Sequence, residues 1–155
     1  MKNVSKLKWF VGVFSLAVTV VWLTGCGGGG GGGGSTNNGG GGNGTNAPAS
    51  VAGRSITHTI TGGTSPFSAS GSFVMAVQGV DGDLSGSYTI TGSGGVPNSS
   101  GNYSYTMTDA NTATLNLQDS VLGPATESLV FQTPSSGTFS SAAGAGTQTG
   151  TFTLQ

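Results

Sequence analysis

The chain has 155 residues, with 31 glycines and only 6% charged residues; Lys2, Lys6 and Lys8 crowd its first eight positions, and the sole basic residue after them is Arg54. Beyond residue 25, that arginine faces Asp81, Asp83, Asp109, Asp119 and Glu127, a net charge of −4 with no lysine. A nucleic-acid binder needs clustered Lys or Arg to displace phosphate counterions, so that class is excluded.

Residues 1–8 (MKNVSKLK) form a positive segment, followed by an uncharged apolar run of 15 over 9–23 (WFVGVFSLAVTVVWL). A membrane-spanning helix needs roughly 20 such residues, so the run suits the apolar core of an export signal better. It ends in Leu23-Thr24-Gly25-Cys26, which resembles the bacterial lipobox: an aliphatic residue, two small residues and a cysteine. The resemblance implies diacylglyceryl transfer to the Cys26 thiol, cleavage after Gly25, N-acylation and a lipid-anchored envelope protein. An uncleaved anchor and an ordinary buried cysteine are the competing readings. Acyl chains hold a protein to a bilayer with about 0.8 kcal/mol per buried methylene. Gly27 stands where an aspartate is absent, so the resemblance favours the outer membrane in a diderm host. Cys26 is the only cysteine, which excludes a disulfide within the chain.

Residues 27–34 are eight consecutive glycines, and Gly, Asn, Ser and Thr dominate to residue 46. Glycine has no side chain to bury and the most backbone entropy to lose, so 26–50 reads as the lipidated cysteine plus a flexible linker without packing contacts. A coil of this kind over 27–49 spans roughly 26 Å on average. A phosphate-binding glycine loop would need a following Lys and a strand-to-helix context, and neither is present.

From residue 51 to 155 the apolar period is close to two, and no stretch has helical spacing. Ile56, His58 and Ile60 share one face; Tyr88 and Ile90, then Tyr103, Tyr105 and Met107, then Leu115 and Leu117, Leu129 and Phe131, Phe139, and Phe152 and Leu154 continue the pattern against Thr and Ser. Asp81-Gly82 suits a two-residue type I′ hairpin. A longer loop is expected over 119–126, and Asp109-Ala110-Asn111, Pro134-Ser135-Ser136 and Ala143-Gly144-Ala145-Gly146 mark further turns. The expected fold is all-β: an antiparallel meander of seven or eight short strands closed into a small barrel, with a β-sandwich as the alternative. Glycine precedes an aromatic by two at Gly71-Ser72-Phe73, Gly86-Ser87-Tyr88, Gly101-Asn102-Tyr103, Gly137-Thr138-Phe139 and Gly150-Thr151-Phe152. Such pairs share a strand face, where the ring covers the gap the glycine leaves. The phrases DGDLSGSYTI and SGTFSSAAGAGTQTGTFTL resemble strands of calycin-type barrels, the lipocalin and avidin superfamily, which implies a barrel interior able to hold a small ligand.

Candidate chemistry is sparse. His58 is the only histidine; no Gly-x-Ser-x-Gly elbow accompanies it, and its phase with Ile56 and Ile60 makes it an inward, hydrogen-bonded residue. Asp81-Gly82-Asp83-Leu84-Ser85-Gly86 imitates the start of a calcium loop, but the twelfth position is Gly92 rather than glutamate. A zinc site lacks ligands. Asp109, Asp119 and Glu127 fall in turns or at strand starts and form no motif, so no catalytic residue, metal or cofactor is assigned and the domain is not expected to be an enzyme. The candidate ligand-lining set is His58, Tyr88, Tyr103, Tyr105, Met107, Phe131 and Phe152, for a small apolar ligand or an envelope protein partner. The leading expectation is a non-catalytic binding or structural module; the alternative is an adhesion module that pairs through open strand edges.

Replacing Cys26 by Ser is expected to abolish membrane association and leave the precursor uncleaved. Cell fractionation with N-terminal sequencing checks this; a variant still cut after Gly25 and still membrane-bound overturns the lipobox reading.

Overall fold

A computed structural model describes residues 44–155; the expected export signal, Cys26 and the long glycine run lie outside the described residues. Eight strands follow one another: β1 (Ser55–Gly63), β2 (Gly71–Val77), β3 (Ser85–Ser93), β4 (Ser99–Asp109), β5 (Thr112–Asp119), β6 (Gly123–Thr133), β7 (Ser136–Ala143) and β8 (Gly146–Leu154). Each is antiparallel to the next, and β1 returns to β8 through Ile56↔Leu154, His58↔Phe152 and Ile60↔Gly150. The meander therefore closes as a barrel, and the sandwich alternative falls.

Alternation carries this out residue by residue. Along β8, Gly146, Gln148, Gly150, Phe152 and Leu154 are buried while the four intervening threonines are exposed. β-Branched Thr fits a pleated, wet outer wall, and the inward phase fills the core with Ile56, Met75, Tyr88, Tyr105, Leu115 and Leu129.

The glycine–aromatic repeat works across strands rather than along one. Gly86 pairs with Tyr103 while Tyr88 pairs with Gly101, and likewise Gly137 with Phe152 and Phe139 with Gly150. A Cβ at Gly101 would stand 2.9 Å from the Tyr88 hydroxyl, and one at Gly150 would stand 2.6 Å from the Phe139 ring. Each ring lies over its partner's glycine, so a side chain there would displace it. Gly71 departs from the pattern: it pairs with Ile60 and has a φ of 117° at the start of β2.

The ends of the barrel differ. Residues 46–53, which overlap the expected linker, cross one end as a strap. Ala47 N–H donates to the Ala110 carbonyl (3.0 Å), Tyr105 hydroxyl to the Pro48 carbonyl (2.6 Å), Ser50 hydroxyl to the Asp83 carbonyl (2.6 Å) and Gly53 N–H to the Val77 carbonyl (3.1 Å). Val51 is fully buried beneath it. The folded unit thus begins near residue 46 rather than 51, and these linker residues do make packing contacts. Ala47, Val51 and Ala52 are the apolar residues that the strap buries.

Three further expectations are corrected. No Asp81-Gly82 two-residue hairpin forms: β2 and β3 are joined by residues 78–84, and no non-glycine among the described residues has the positive φ that a type I′ turn requires. The 119–126 loop shrinks to residues 120–122, because Asp119 Oδ1 accepts the Val121 and Leu122 N–H groups at 2.8 and 2.9 Å and folds the chain back at once. Met107 has the inward phase, yet it is 46% exposed. β3 ends its pairing at Ser104, so the tip of β4 overhangs the barrel with β5 alone, and a bulge between Met107 and Asp109 follows.

Removing residues 46–52 should lower unfolding stability by several kcal/mol, since Val51 alone buries a side chain with a value of about 1.5–3 kcal/mol. Removing 27–43 should change it little. Urea titrations of the two shortened chains against the full chain measure the contrast, and equal stability throughout would show the strap to be ornamental.

Candidate functional site

The interior is not purely apolar. Asp119, at the end of β5, is 7% exposed and Glu127, in the middle of β6, is 2% exposed. Glu127 therefore occupies no turn or strand start, contrary to the sequence expectation. Its phase with Ala125, Leu129 and Phe131 points it inward, and the same alternation carries Asp119 with Leu115 and Leu117, Ser141 with Phe139, and Gln148 with Phe152.

Asp119 is saturated. Oδ2 accepts from Tyr88 hydroxyl at 2.8 Å and Ser99 hydroxyl at 2.7 Å, while Oδ1 accepts the two turn N–H groups. Burial alone would raise its pKa, and these four donors together bring it below the ordinary value. The folded-state value is depressed, so its stabilising contribution is present above the usual carboxylate range and is lost as pH falls through the folded pKa.

Glu127 has fewer partners. His58 Nε2 meets Oε1 at 3.0 Å, and the Ser141 hydroxyl donates to Oε2 at 3.0 Å. His58 is fully buried, stacked on Phe73 with ring centroids 4.2 Å apart and met edge-on by Phe139 at 4.7 Å. Its Nδ1 is buried with no hydrogen-bond partner among the described residues. The inward, hydrogen-bonded histidine read from the sequence is what the structure shows. The carboxylate lies between imidazole and hydroxyl and accepts from the Ser141 hydroxyl. A hydrolytic triad instead sets the histidine between serine and acid.

Above this cluster the barrel opens at the end opposite the strap. A cavity of about 60 Å³ is lined by Phe73, Met75, Ile90, Leu117, Ala125, Glu127, Ser141 and Gln148, with Phe67, Val96, Val121 and Leu122 at its lip. A water occupies about 30 Å³ in the liquid, and pockets for drug-sized ligands begin near 300 Å³. The space admits about two waters or the tip of a molecule.

Of the ligand-lining candidates, His58, Tyr88, Tyr103, Tyr105, Phe131 and Phe152 are buried, and Met107 is not; none of the seven lines this cavity. Tyr105 and Tyr103 are instead spent on the strapped end, Tyr103 donating to the Gln78 carbonyl at 3.2 Å. Strand phase applied to polar residues would have found Glu127, Asp119, Ser141 and Gln148; the lip residues arrive from loops and carry no such signal. No group of three potential metal ligands occurs among the described residues. Comparison of the chain with protein-family models, curated proteins and solved structures finds no match, so the chemistry of the site rests on its own geometry.

All three tyrosines have raised pKa values: Tyr88 through burial, the Asp119 hydrogen bond and nearby carboxylates, Tyr103 through burial and Asp83, and Tyr105, through burial, to about 12. A raised folded value means stability present below the ordinary value near 10 and lost as pH rises through the folded one. Spectrophotometric titration should thus show Tyr88 and Tyr105 still protonated at pH 10.5 in the folded barrel, with their ionisation displaced above that of free tyrosine. Half-ionised tyrosine at pH 10 in a folded barrel would contradict the burial assignments.

Proposed function

We propose that the chain is a lipid-anchored envelope protein whose calycin-like barrel is a non-catalytic binding module, with the open end as its binding face. The observation that carries this is the asymmetry of the ends. One is sealed by the strap, while the other keeps an apolar lip around a carboxylate-floored cavity, including Val121 at 56% exposed. The lip is formed by residues of the β1–β2, β3–β4 and β5–β6 connections, the loops on which a rigid barrel carries recognition. The described chain begins at the sealed end, so a tether from Cys26 would join the barrel opposite its mouth. The cavity is too small to swallow a lipocalin-sized ligand, and the module grips a short apolar group. Pairing through open strand edges loses its basis, because every strand has a hydrogen-bonded neighbour on either side.

Titration of the full chain with n-butanol, followed by NMR, should give saturable shifts confined to Phe67, Ile90, Val96 and Leu122, with dissociation constants near the millimolar range. Val80, Leu84 and Met107, exposed apolar residues elsewhere, should not respond. Shifts spread over all of these equally would dispose of a specific mouth.

A further inference from the structure

We infer that the open-end cavity takes the ammonium head of a primary amine on a short alkyl stem, held by Glu127; this deepens the binding-face reading above and rests on it. The starting point is the contrast between the two interior carboxylates. Asp119 has four donors for its two oxygens, whereas Glu127, the more deeply buried, has one hydrogen-bond partner for each. A carboxylate oxygen has lone pairs for two.

His58 does not make up the deficit. With imidazole neutral and its proton on Nε2, the pair retains a buried negative charge without a counter-ion, and Nδ1 keeps an unused lone pair. With imidazole charged, the pair is neutral, but Nδ1–H becomes a buried donor without an acceptor. A proton moved to Glu127 leaves that same donor unanswered. In each arrangement one buried group is left short of a partner within the protein, and buried charges and polar groups are stable when paired.

A cation above Glu127 removes the charge deficit with imidazole neutral, the arrangement that leaves only a lone pair unused. The cavity matches such a guest. It is lined by Glu127, Gln148 and Ser141, whose oxygens can accept, and no Lys, Arg or His lines it. Three N–H donors of a primary ammonium find several acceptors there, whereas a quaternary ammonium offers none. The walls at Met75 and Ile90 are apolar, and about 60 Å³ suits a compact head whose alkyl stem leads out past the lip. The region after residue 25, at net −4, draws cations rather than repelling them.

The test compares n-butylammonium, n-butanol and butyrate on the full chain at pH 7 and low salt, by NMR titration. The amine should bind at least ten-fold more tightly than the alcohol, with butyrate weakest, and the preference should shrink as salt is added. In the Glu127→Gln variant the amine should lose its advantage and fall to the level of the alcohol. Equal binding of amine and alcohol by the unmodified chain, which needs no variant to fold, overturns the inference and leaves the mouth standing. Failure of all three to bind overturns both. A capped lysine amide, tighter than butylammonium, would place the ammonium on a protein partner; the reverse order would make it a free amine.

Discussion

The hydrogen bonds between β1 and β8 impose a fixed circumference on everything else. Once the first strand is locked to the last, inward side chains share a volume that cannot expand, and each large ring must find space already vacated. The reciprocal pairs Tyr88 over Gly101, Tyr103 over Gly86, Phe139 over Gly150 and Phe152 over Gly137 answer that demand. They also account for a composition that would otherwise read as disorder: these glycines are partners of rings, placed where a Cβ would collide. A closed wall needs no charges to blunt its edges, which fits a barrel whose outer face is built mainly of Thr and Ser.

The same confinement gives the two interior acids opposite characters. Asp119 stands at a strand end, where backbone N–H groups of a tight turn are within reach, and it is consumed in building that turn. Glu127 stands mid-strand, where the backbone donors of the wall are already paired with neighbouring strands, so only side chains can serve it. Position along the strand, rather than residue type, separates a structural carboxylate from one with capacity to spare.

The period of two in the sequence is enough for the all-β class, the meander and the inward placement of His58, Tyr88, Tyr105 and Phe152, because alternation is a direct image of the pleat. It misleads where alternation stops being the governing rule. Met107 keeps the phase but lies past the end of β3, a matter of stagger between strands that no single strand encodes. The strap is hidden in the sequence because its buried apolar residues, Ala47, Val51 and Ala52, are small and follow a glycine run. Glu127 escapes notice because a charged residue in the inward phase reads as a boundary. The lip of the cavity is gathered from three connections by the closure itself, which a linear pattern does not display.

The strap also determines how the molecule would bear a load. The chain enters at Asn46 and passes Ala47, Pro48 and Ser50 before reaching β1, so tension applied from the N-terminal side meets those hydrogen bonds before it meets any strand. They would break in succession, as in peeling, which yields at lower force than shearing a row of bonds together. The first event under traction would be exposure of the Val51 seat at the sealed end, with the mouth on the far side still intact. Under such a pull the strap would act as a mechanical fuse, releasing several residues before the barrel is asked to unfold.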